Sequence, residues 1–187
     1  MKRFILTGAP GSGKTTLLRQ LEVEGFSVVE EAATDVIALQ QAQGISEPWT
    51  DPSFIDAVVD LQRRREGRAA FEPLDPQFGL HFDVQFHDRS VVCAAALAVY
   101  LGFPFSGLLK RELERVRCEE VFQRKVLFVR NLGFVAPTEA RRISYEESLR
   151  FEAIHERIYL EHGYELVFIG PGTLADRIAA ILRAISV

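Results

Sequence analysis

The chain has 187 residues, of which 48% are hydrophobic and 26% charged, and this composition is typical of a globular protein with a buried core. Its formal net charge of −4 implies no broad basic surface and argues against a nucleic-acid partner. No apolar run reaches the length of a membrane span, and the first residues lead into a strand rather than a secretory signal. Without such a run, we expect no membrane partner. Cys93 and Cys118 lie far apart with no C-x-x-C pair, so we expect a reducing, cytoplasmic setting.

The first predicted unit is a strand, a glycine-rich loop and a helix. The strand is the apolar run Phe4-Ile5-Leu6, and the helix carries Leu17, Leu18 and Leu21 on one face. Between them, Gly8-Ala9-Pro10-Gly11-Ser12-Gly13-Lys14-Thr15 matches the complete pattern G-x-x-x-x-G-K-[ST]. We call residues 8–15 the phosphate loop, because this order of elements surrounds a polyphosphate with backbone N–H groups and the positive end of a helix.

The phosphate loop predicts a bound nucleoside triphosphate with magnesium. Lys14 is expected to reach the β- and γ-phosphates, and the Thr15 hydroxyl is expected to ligate Mg²⁺. ATP is favoured over GTP because the chain has no N-K-x-D motif to read guanine. The residues predicted to bind the nucleotide are Gly8, Ala9, Pro10, Gly11, Ser12, Gly13, Lys14, Thr15 and Thr16.

The rest of the chain alternates between short apolar strands and helices. Four further strands are predicted at 26–29, 82–86, 126–129 and 166–169. Helices are predicted from 30 to 43, after Asp51-Pro52, over 91–101 and 106–118, after the capping box that begins at Ser144, and after Thr173. This alternation predicts one α/β domain over residues 1–187, with three layers and helices on both faces of a five-stranded parallel sheet.

In a parallel sheet the carboxyl ends of the strands meet at one edge, where ligands bind. The phosphate loop follows the first strand, Glu30 and Glu31 follow the second, and Asp88 and Arg89 follow the third. The loop 130–143, which we call the lid, follows the fourth strand. Each of these segments is therefore expected to contribute polar groups to one site.

Two carboxylate positions have candidate chemical roles. Asp88 is expected to hold Mg²⁺ together with Thr15, and the alternative is that it caps the next helix or pairs with Arg89. Glu31, slightly ahead of Glu30, is expected to act as the base that accepts a proton from an acceptor hydroxyl. The alternative is that two acidic residues merely suit the start of a helix.

Arginines are the candidate cations for the transferred phosphoryl group. Arg89 is expected to hold oxygens of the acceptor or of that group, and Arg141 and Arg142 to close over the phosphates from the lid. The alternative for each is a solvated side chain. The helical region 44–80, with Trp49, is expected on the acceptor side, and the run at 63–65 is expected to be a solvated helix face.

The motifs resemble those of the P-loop nucleoside and nucleotide kinases. Phe86-His87-Asp88-Arg89-Ser90 resembles the acidic-Arg-Ser motif of deoxynucleoside kinases and the Asp-Arg motif of thymidylate kinases. Val29-Glu30-Glu31-Ala32 resembles the segment at which deoxynucleoside kinases keep their base. The stretches 139–142 and 159–167 resemble the small AAA-labelled ATPase/kinase family related to the ribosylnicotinamide kinase domain, although residues 131–138 are more apolar than that family's acidic stretch.

The resemblance implies a sheet in the order 2-3-1-4-5, with the acidic residue of the third strand serving magnesium and the arginine serving the substrate. The leading hypothesis is a kinase, monomeric or homodimeric, that transfers the γ-phosphate of ATP to a small nucleoside-like acceptor. The alternative is a P-loop ATPase that acts as a switch or binds a partner, with Glu31 or Gln85 orienting water. A binding module without turnover is disfavoured because Lys14 and Asp88 are both present.

Overall fold

The computed structural model describes residues 1–71, 83–132 and 144–185. Its five strands are β1 Lys2–Thr7, β2 Ser27–Val29, β3 Val84–Asp88, β4 Lys125–Val129 and β5 Glu165–Ile169. They form one parallel sheet in the order β2-β3-β1-β4-β5, as the sequence and its resemblance predict.

Seven helices connect and cover the strands within the described ranges. They are α1 Lys14–Val23, α2 Ala33–Ala42, α3 Ser53–Phe71, α4 Val91–Leu101, α5 Gly107–Cys118, α6 Tyr145–Glu161 and α7 Leu174–Ile185, with a short 3-10 turn at Pro48–Thr50. None of the described helices is long and apolar enough to cross a membrane.

Two apolar clusters, one on each face of the sheet, form the core. Successive residues of a strand point to opposite faces, so Ile5 packs with α3–α6, whereas Phe4 and Leu6 pack with α1 and α7. The central strands are accordingly apolar almost without interruption, as expected for a parallel sheet with both faces covered.

Side-chain caps fix the starts of three helices where the sequence predicts them. The Ser90 hydroxyl accepts the N–H of Val92 at 3.2 Å and begins α4. Ser144 and Glu147 exchange both hydrogen bonds of a capping box at the start of α6. The Thr173 hydroxyl accepts the N–H of Asp176 at 3.2 Å at the start of α7.

The third strand lies two residues further along the chain than the sequence predicts, over Val84–Asp88 rather than 82–86. Its pairing with β1 continues until Asp88 lies opposite Leu6, so the ladder includes the polar residues His87 and Asp88. His87 is fully buried in this strand, with its ring 5.0 Å from that of Phe122. The sequence prediction ends the strand where the apolar residues end, at Phe86. The backbone hydrogen bonds between β1 and β3 do not depend on the side chains, so the strand continues to Asp88.

Candidate functional site

The phosphate loop leaves β1 at Gly8 in a backbone conformation that favours glycine, with φ of 140°. A Cβ at Gly8 would lie 2.2 Å from the carbonyl oxygen of Val129 on the neighbouring strand β4. Gly13, with φ of 81°, is the residue before α1, so the loop ends where that helix presents its unpaired N–H groups. The loop therefore lies tightly against β4 and at the positive end of α1.

Lys14 holds the phosphate loop together from inside. Its ammonium group donates hydrogen bonds to the carbonyl oxygens of Gly8 at 2.9 Å and Ala9 at 3.1 Å, and its side chain is buried. Thr15 and Thr16 follow it in the first turn of α1, and both are exposed. A buried cation and two exposed hydroxyl groups therefore lie together at the start of α1.

Asp88 ends β3 directly beside the phosphate loop. Its partner in the strand register is Leu6, two residues before Gly8, and Asp88 is mostly buried. Thr15 offers a hydroxyl oxygen and Asp88 a carboxylate oxygen, which are ligand types that Mg²⁺ prefers. No group of three or more His, Cys, Asp or Glu residues in the described parts of the chain could hold a metal ion. This donor set suits Mg²⁺, which keeps several waters and completes its shell with phosphate oxygens.

Glu31 and Arg89 form a largely buried ion pair beyond the ends of β2 and β3. Arg89 Nε donates to Glu31 Oε2 at 2.8 Å, and the side chains are only 16% and 19% exposed for Arg89 and Glu31. The hydroxyl group of Thr34 donates to the other carboxylate oxygen. Burial alone would raise the pKa of Glu31, but the positive charges of Arg89 and Lys14 and these hydrogen bonds lower it to about 2. Glu31 is therefore an ionised carboxylate at neutral pH.

The structure separates the two neighbouring glutamates that the sequence leaves almost equal. Glu30 is exposed and pairs with Arg19 at 2.6 Å on the surface. Glu31 turns inward to Arg89 and lines a cavity. Arg65 of α3 holds the backbone that leads from Glu31 into α2. Its guanidinium donates to the carbonyl oxygen of Glu31 and pairs with Asp35 in the first turn of α2.

Arg89 has an unusual backbone for a residue with a side chain. Its φ is 68°, and its N–H donates to the carbonyl oxygen of Leu6 at 3.1 Å. Non-glycine residues rarely adopt this conformation, which is concentrated at functional sites. Burial lowers the pKa of Arg89, but the charges of Glu31 and Asp88 raise it above its ordinary value, so the guanidinium stays charged.

A cavity of about 670 Å³ opens from this ion pair, and we call it the Glu31 cavity. It borders the phosphate loop at Pro10, and its polar end holds Glu31 and Arg89. Its other walls come from α2, α3, α4, α6 and the 3-10 turn, and they include four aromatic side chains: Trp49, Phe54, Tyr100 and Phe151. The cavity thus combines an apolar, aromatic interior with charged groups next to the phosphate loop, as ligand sites commonly do.

Gln62 lines the same cavity, although no motif in the sequence marks it. Its side chain is 5% exposed, and its amide nitrogen has no hydrogen-bond partner in the part of the chain that the structure describes. Such a buried donor is costly unless a ligand or water satisfies it. One signal was available: Gln62 continues the buried stripe of Ile55, Val58 and Val59 at helical spacing, where an apolar residue is expected.

Other predicted residues lie elsewhere. Arg141 and Arg142, with most of the lid, fall outside the described residues. The suggestion that Gln85 orients water is wrong, because Gln85 is the second residue of β3, opposite Arg3 at the start of β1, and bonds Ser27 and His87. Arg130, at the base of the lid, pairs with Glu152 at 2.7 Å and with Glu156.

Residues 3–177 match the family model described as AAA domain. Among solved structures, the fold is similar to NadR in complex with NAD and AMP-PNP, with a TM-score of 0.68 and 18% identity over 100% of this chain and 50% of the NadR chain. A NadR structure in complex with NR gives a TM-score of 0.66, also at 18% identity, over 100% of this chain and 51% of that one. Deoxyadenosine kinase from M. mycoides, with products dCMP and dCDP, gives 0.61 at 11% identity and 98% of both chains.

The chain therefore spans about half the length of the NadR chains that it matches. At these identities the structural matches show a shared fold. No curated protein matches the sequence.

Proposed function

The chain belongs to the AAA domain family, and we propose that it is a phosphotransferase that uses ATP and magnesium to phosphorylate a small nucleoside-like acceptor. The observation that carries this proposal is the position of the Glu31–Arg89 pair. It lies inside a cavity that borders the phosphate loop, so an acceptor bound there would present its hydroxyl or phosphate to the γ-phosphate of ATP.

On the donor side, the phosphate loop would hold the triphosphate of ATP. Backbone N–H groups of residues 8–13 and the start of α1 would bind its oxygens, and Lys14 would exchange its bonds to Gly8 and Ala9 for bonds to the β- and γ-phosphates. Thr15 and Asp88 would hold the Mg²⁺, which neutralises charge on the phosphates when bound. The lid arginines Arg141 and Arg142 are proposed to approach the transferred group from the remaining side.

On the acceptor side, Glu31 would orient the attacking hydroxyl group. Each carboxylate oxygen already accepts one hydrogen bond, and each keeps capacity for another. An ionised carboxylate next to the phosphate loop can align the hydroxyl for in-line attack and accept its proton as the new P–O bond forms. Arg89 would hold oxygens of the acceptor or of the transferred phosphoryl group while it keeps Glu31 in place.

The interior of the Glu31 cavity supports a planar, partly apolar acceptor. Aromatic walls favour a heterocyclic ring. The amide nitrogen of Gln62, which has no hydrogen-bond partner among the described residues, can donate to a carbonyl oxygen or a ring nitrogen of that ring. NR bound to NadR and dCMP bound to deoxyadenosine kinase are nucleoside-like molecules on a similar fold. In this proposal residues 44–80 belong to the acceptor side of one domain.

The two adjacent glutamates provide a matched test of this proposal. Acceptor-stimulated ADP release is measured for the wild type, Glu31→Gln and Glu30→Gln with a panel of nucleosides, nucleoside monophosphates and ribosylnicotinamide. We expect Glu31→Gln to reduce the stimulated rate by roughly 10²- to 10⁴-fold, because a positioned base contributes about that much. Glu30→Gln, on the exposed neighbour, should remain close to wild type.

Equal rates for Glu31→Gln and wild type would place the chemistry away from this carboxylate and contradict the proposed role. A steady basal rate that no acceptor changes would instead support the ATPase alternative.

A further inference from the structure

Arg177 is a buried cation that contacts the phosphate loop from α7. The residue is 6% exposed, and its Nη2 donates to the carbonyl oxygen of Ser12 at 2.8 Å. Its Nη1 lies 2.9 Å from the position that a Cβ on Gly13 would occupy, so the guanidinium lies directly against the end of the loop. Its Nε has no hydrogen-bond partner in the described part of the chain.

No carboxylate within the described ranges forms an ion pair with Arg177. A charge that is withdrawn from water without an opposite charge is destabilising. The other large buried arginine of the site, Arg89, has Glu31 as its partner. Arg177 therefore differs from Arg89, whose charge is balanced by a carboxylate of the protein.

Several positive groups lie around Arg177, and the carboxylate of its neighbour Asp176 accepts the Thr173 hydroxyl at 2.6 Å instead of pairing with the guanidinium. The guanidinium lies beside Gly13, at the positive end of α1, and Arg177 belongs to the first turn of α7, where a helix favours acidic side chains. Lys14, whose ammonium group bonds the same loop at Gly8 and Ala9, adds a further positive charge. Several positive groups around one loop attract an anion to it.

We propose that Arg177 is a positioning residue of the nucleotide site, and that the polyphosphate of the bound nucleotide supplies its missing counter-charge. This inference rests on the nucleotide-binding half of the proposed function. Arg177 holds the Ser12 carbonyl away from the anion, so that the loop turns its N–H groups toward the phosphates. Its charge, desolvated behind the loop, adds to that attraction more strongly than an exposed charge would.

This role predicts that Arg177 reduces the stability of the ligand-free protein and increases its affinity for polyphosphate. In Arg177→Met, an uncharged side chain of similar length replaces the buried cation. We expect the melting temperature of the ligand-free variant to stay at or above that of wild type. We expect its dissociation constants for MgATP and for inorganic tripolyphosphate, measured by isothermal titration calorimetry, to rise by about 10- to 100-fold.

Two further variants keep the result interpretable. Arg177→Lys restores a cation and is expected to recover most of the lost affinity, whereas a role in packing alone would not distinguish lysine from methionine. Arg183→Met removes an exposed arginine from the same helix and should leave both affinities unchanged.

The inference is overturned if Arg177→Met binds both ligands like wild type. It is also overturned if Arg177→Met and Arg177→Lys lower the melting temperature equally without a difference in affinity. A wild-type protein that binds neither ligand would overturn both this inference and the proposed function. Failure to phosphorylate any acceptor, with MgATP binding intact, would contradict the proposed function while the Arg177 variants still decide the present inference.

Discussion

Gly8 occupies a position at which a single neighbouring atom excludes every other residue. The carbonyl oxygen of Val129 lies 2.2 Å from the place of a Cβ, and that oxygen belongs to the backbone of a central strand. Gly44 has a similarly unusual backbone, with φ of 94°, but nothing lies within 4 Å of its Cβ position. A side chain at Gly8 would therefore clash with the neighbouring strand, whereas a side chain at Gly44 would meet only an unfavourable backbone conformation.

We predict that Gly8→Ala lowers the free energy of unfolding by roughly 2–4 kcal/mol and abolishes ATP binding, because β1, β4 and the phosphate loop must move apart. Gly44→Ala should cost only about 1 kcal/mol, from backbone strain alone, and leave ATP binding intact. Urea unfolding and calorimetry measure both effects. Similar losses in the two variants would show that the close contact with Val129 does not decide the geometry of the loop.

The Glu31 carboxylate gives a second prediction at the scale of one residue. Its pKa in the folded protein is about 2, below the ordinary value of 4.5. A lowered pKa means that the ionised form stabilises the fold. This stabilisation is complete above pH 4.5 and is lost as the pH falls from 4.5 toward 2.

In Arg89→Gln, the largest opposing charge and its hydrogen bond to Glu31 are removed, so the pKa of Glu31 should rise well above its wild-type value. Carbon-13 NMR of the side-chain carboxyl groups measures this titration directly. Arg19→Gln, which removes the surface partner of Glu30, should leave the titration of Glu31 unchanged. A wild-type Glu31 that titrates near 4.5 would contradict the buried ion pair.

The site residues that can be predicted from the sequence are those whose position next to a strand determines where they lie in the fold. Asp88 ends a strand, whereas the phosphate loop, Glu31 and Arg89 follow one. The carboxyl ends of strands in a parallel sheet all lie at the same edge. Gln62 lies in the middle of α3, and Arg177 lies in the first turn of α7. Neither follows a strand, and only the packing of these two helices brings them to the site. The contact that turns Glu31 rather than Glu30 into the site comes from Arg89, 58 positions away along the chain.

At the scale of elements, α6 connects the lid to the floor of the site. Its fully buried Tyr159 hydroxyl lies 3.0 Å from both the Ser90 hydroxyl and the Cys93 sulfur, and that sulfur lies 3.1 Å from the Thr7 hydroxyl. These contacts join α6, the start of α4 and the end of β1 immediately before Gly8. The position of α6 is thus coupled through hydrogen bonds to the base of the phosphate loop.

The capping box predicts how firmly α6 begins. Ser144→Ala removes the hydroxyl group that accepts the Glu147 N–H at 3.1 Å, and should lower the free energy of unfolding by about 1 kcal/mol. Ser144→Asp retains an oxygen that can accept this N–H and should stay close to wild type. Chemical denaturation measures the difference. Equal stability of the alanine variant and wild type would show that α6 needs no cap at Ser144.

At the scale of the whole molecule, the fold follows from the alternation of apolar strands and helices. Short runs that are buried on both faces demand helices on each side, and residues 4–6 show this division directly because neighbours enter opposite core clusters. The order of the strands is predicted only by the resemblance of the motifs, since strand patterns alone do not determine which strands are neighbours. The strand β3 ends two residues later than the sequence predicts, because backbone pairing continues through polar residues.

The same architecture allows the proposed phosphoryl transfer to be tested in one measurement. All five strand ends lie at one edge, and this places the phosphate loop beside the Glu31 cavity, where an acceptor is proposed to meet ATP. The measurement is the mass of the products formed from MgATP and the acceptor panel by wild-type protein, with Lys14→Ala as the blank. We predict ADP together with one acceptor that has gained a phosphoryl group, absent from the blank. ADP and inorganic phosphate alone, at a rate that no acceptor alters, would contradict the account.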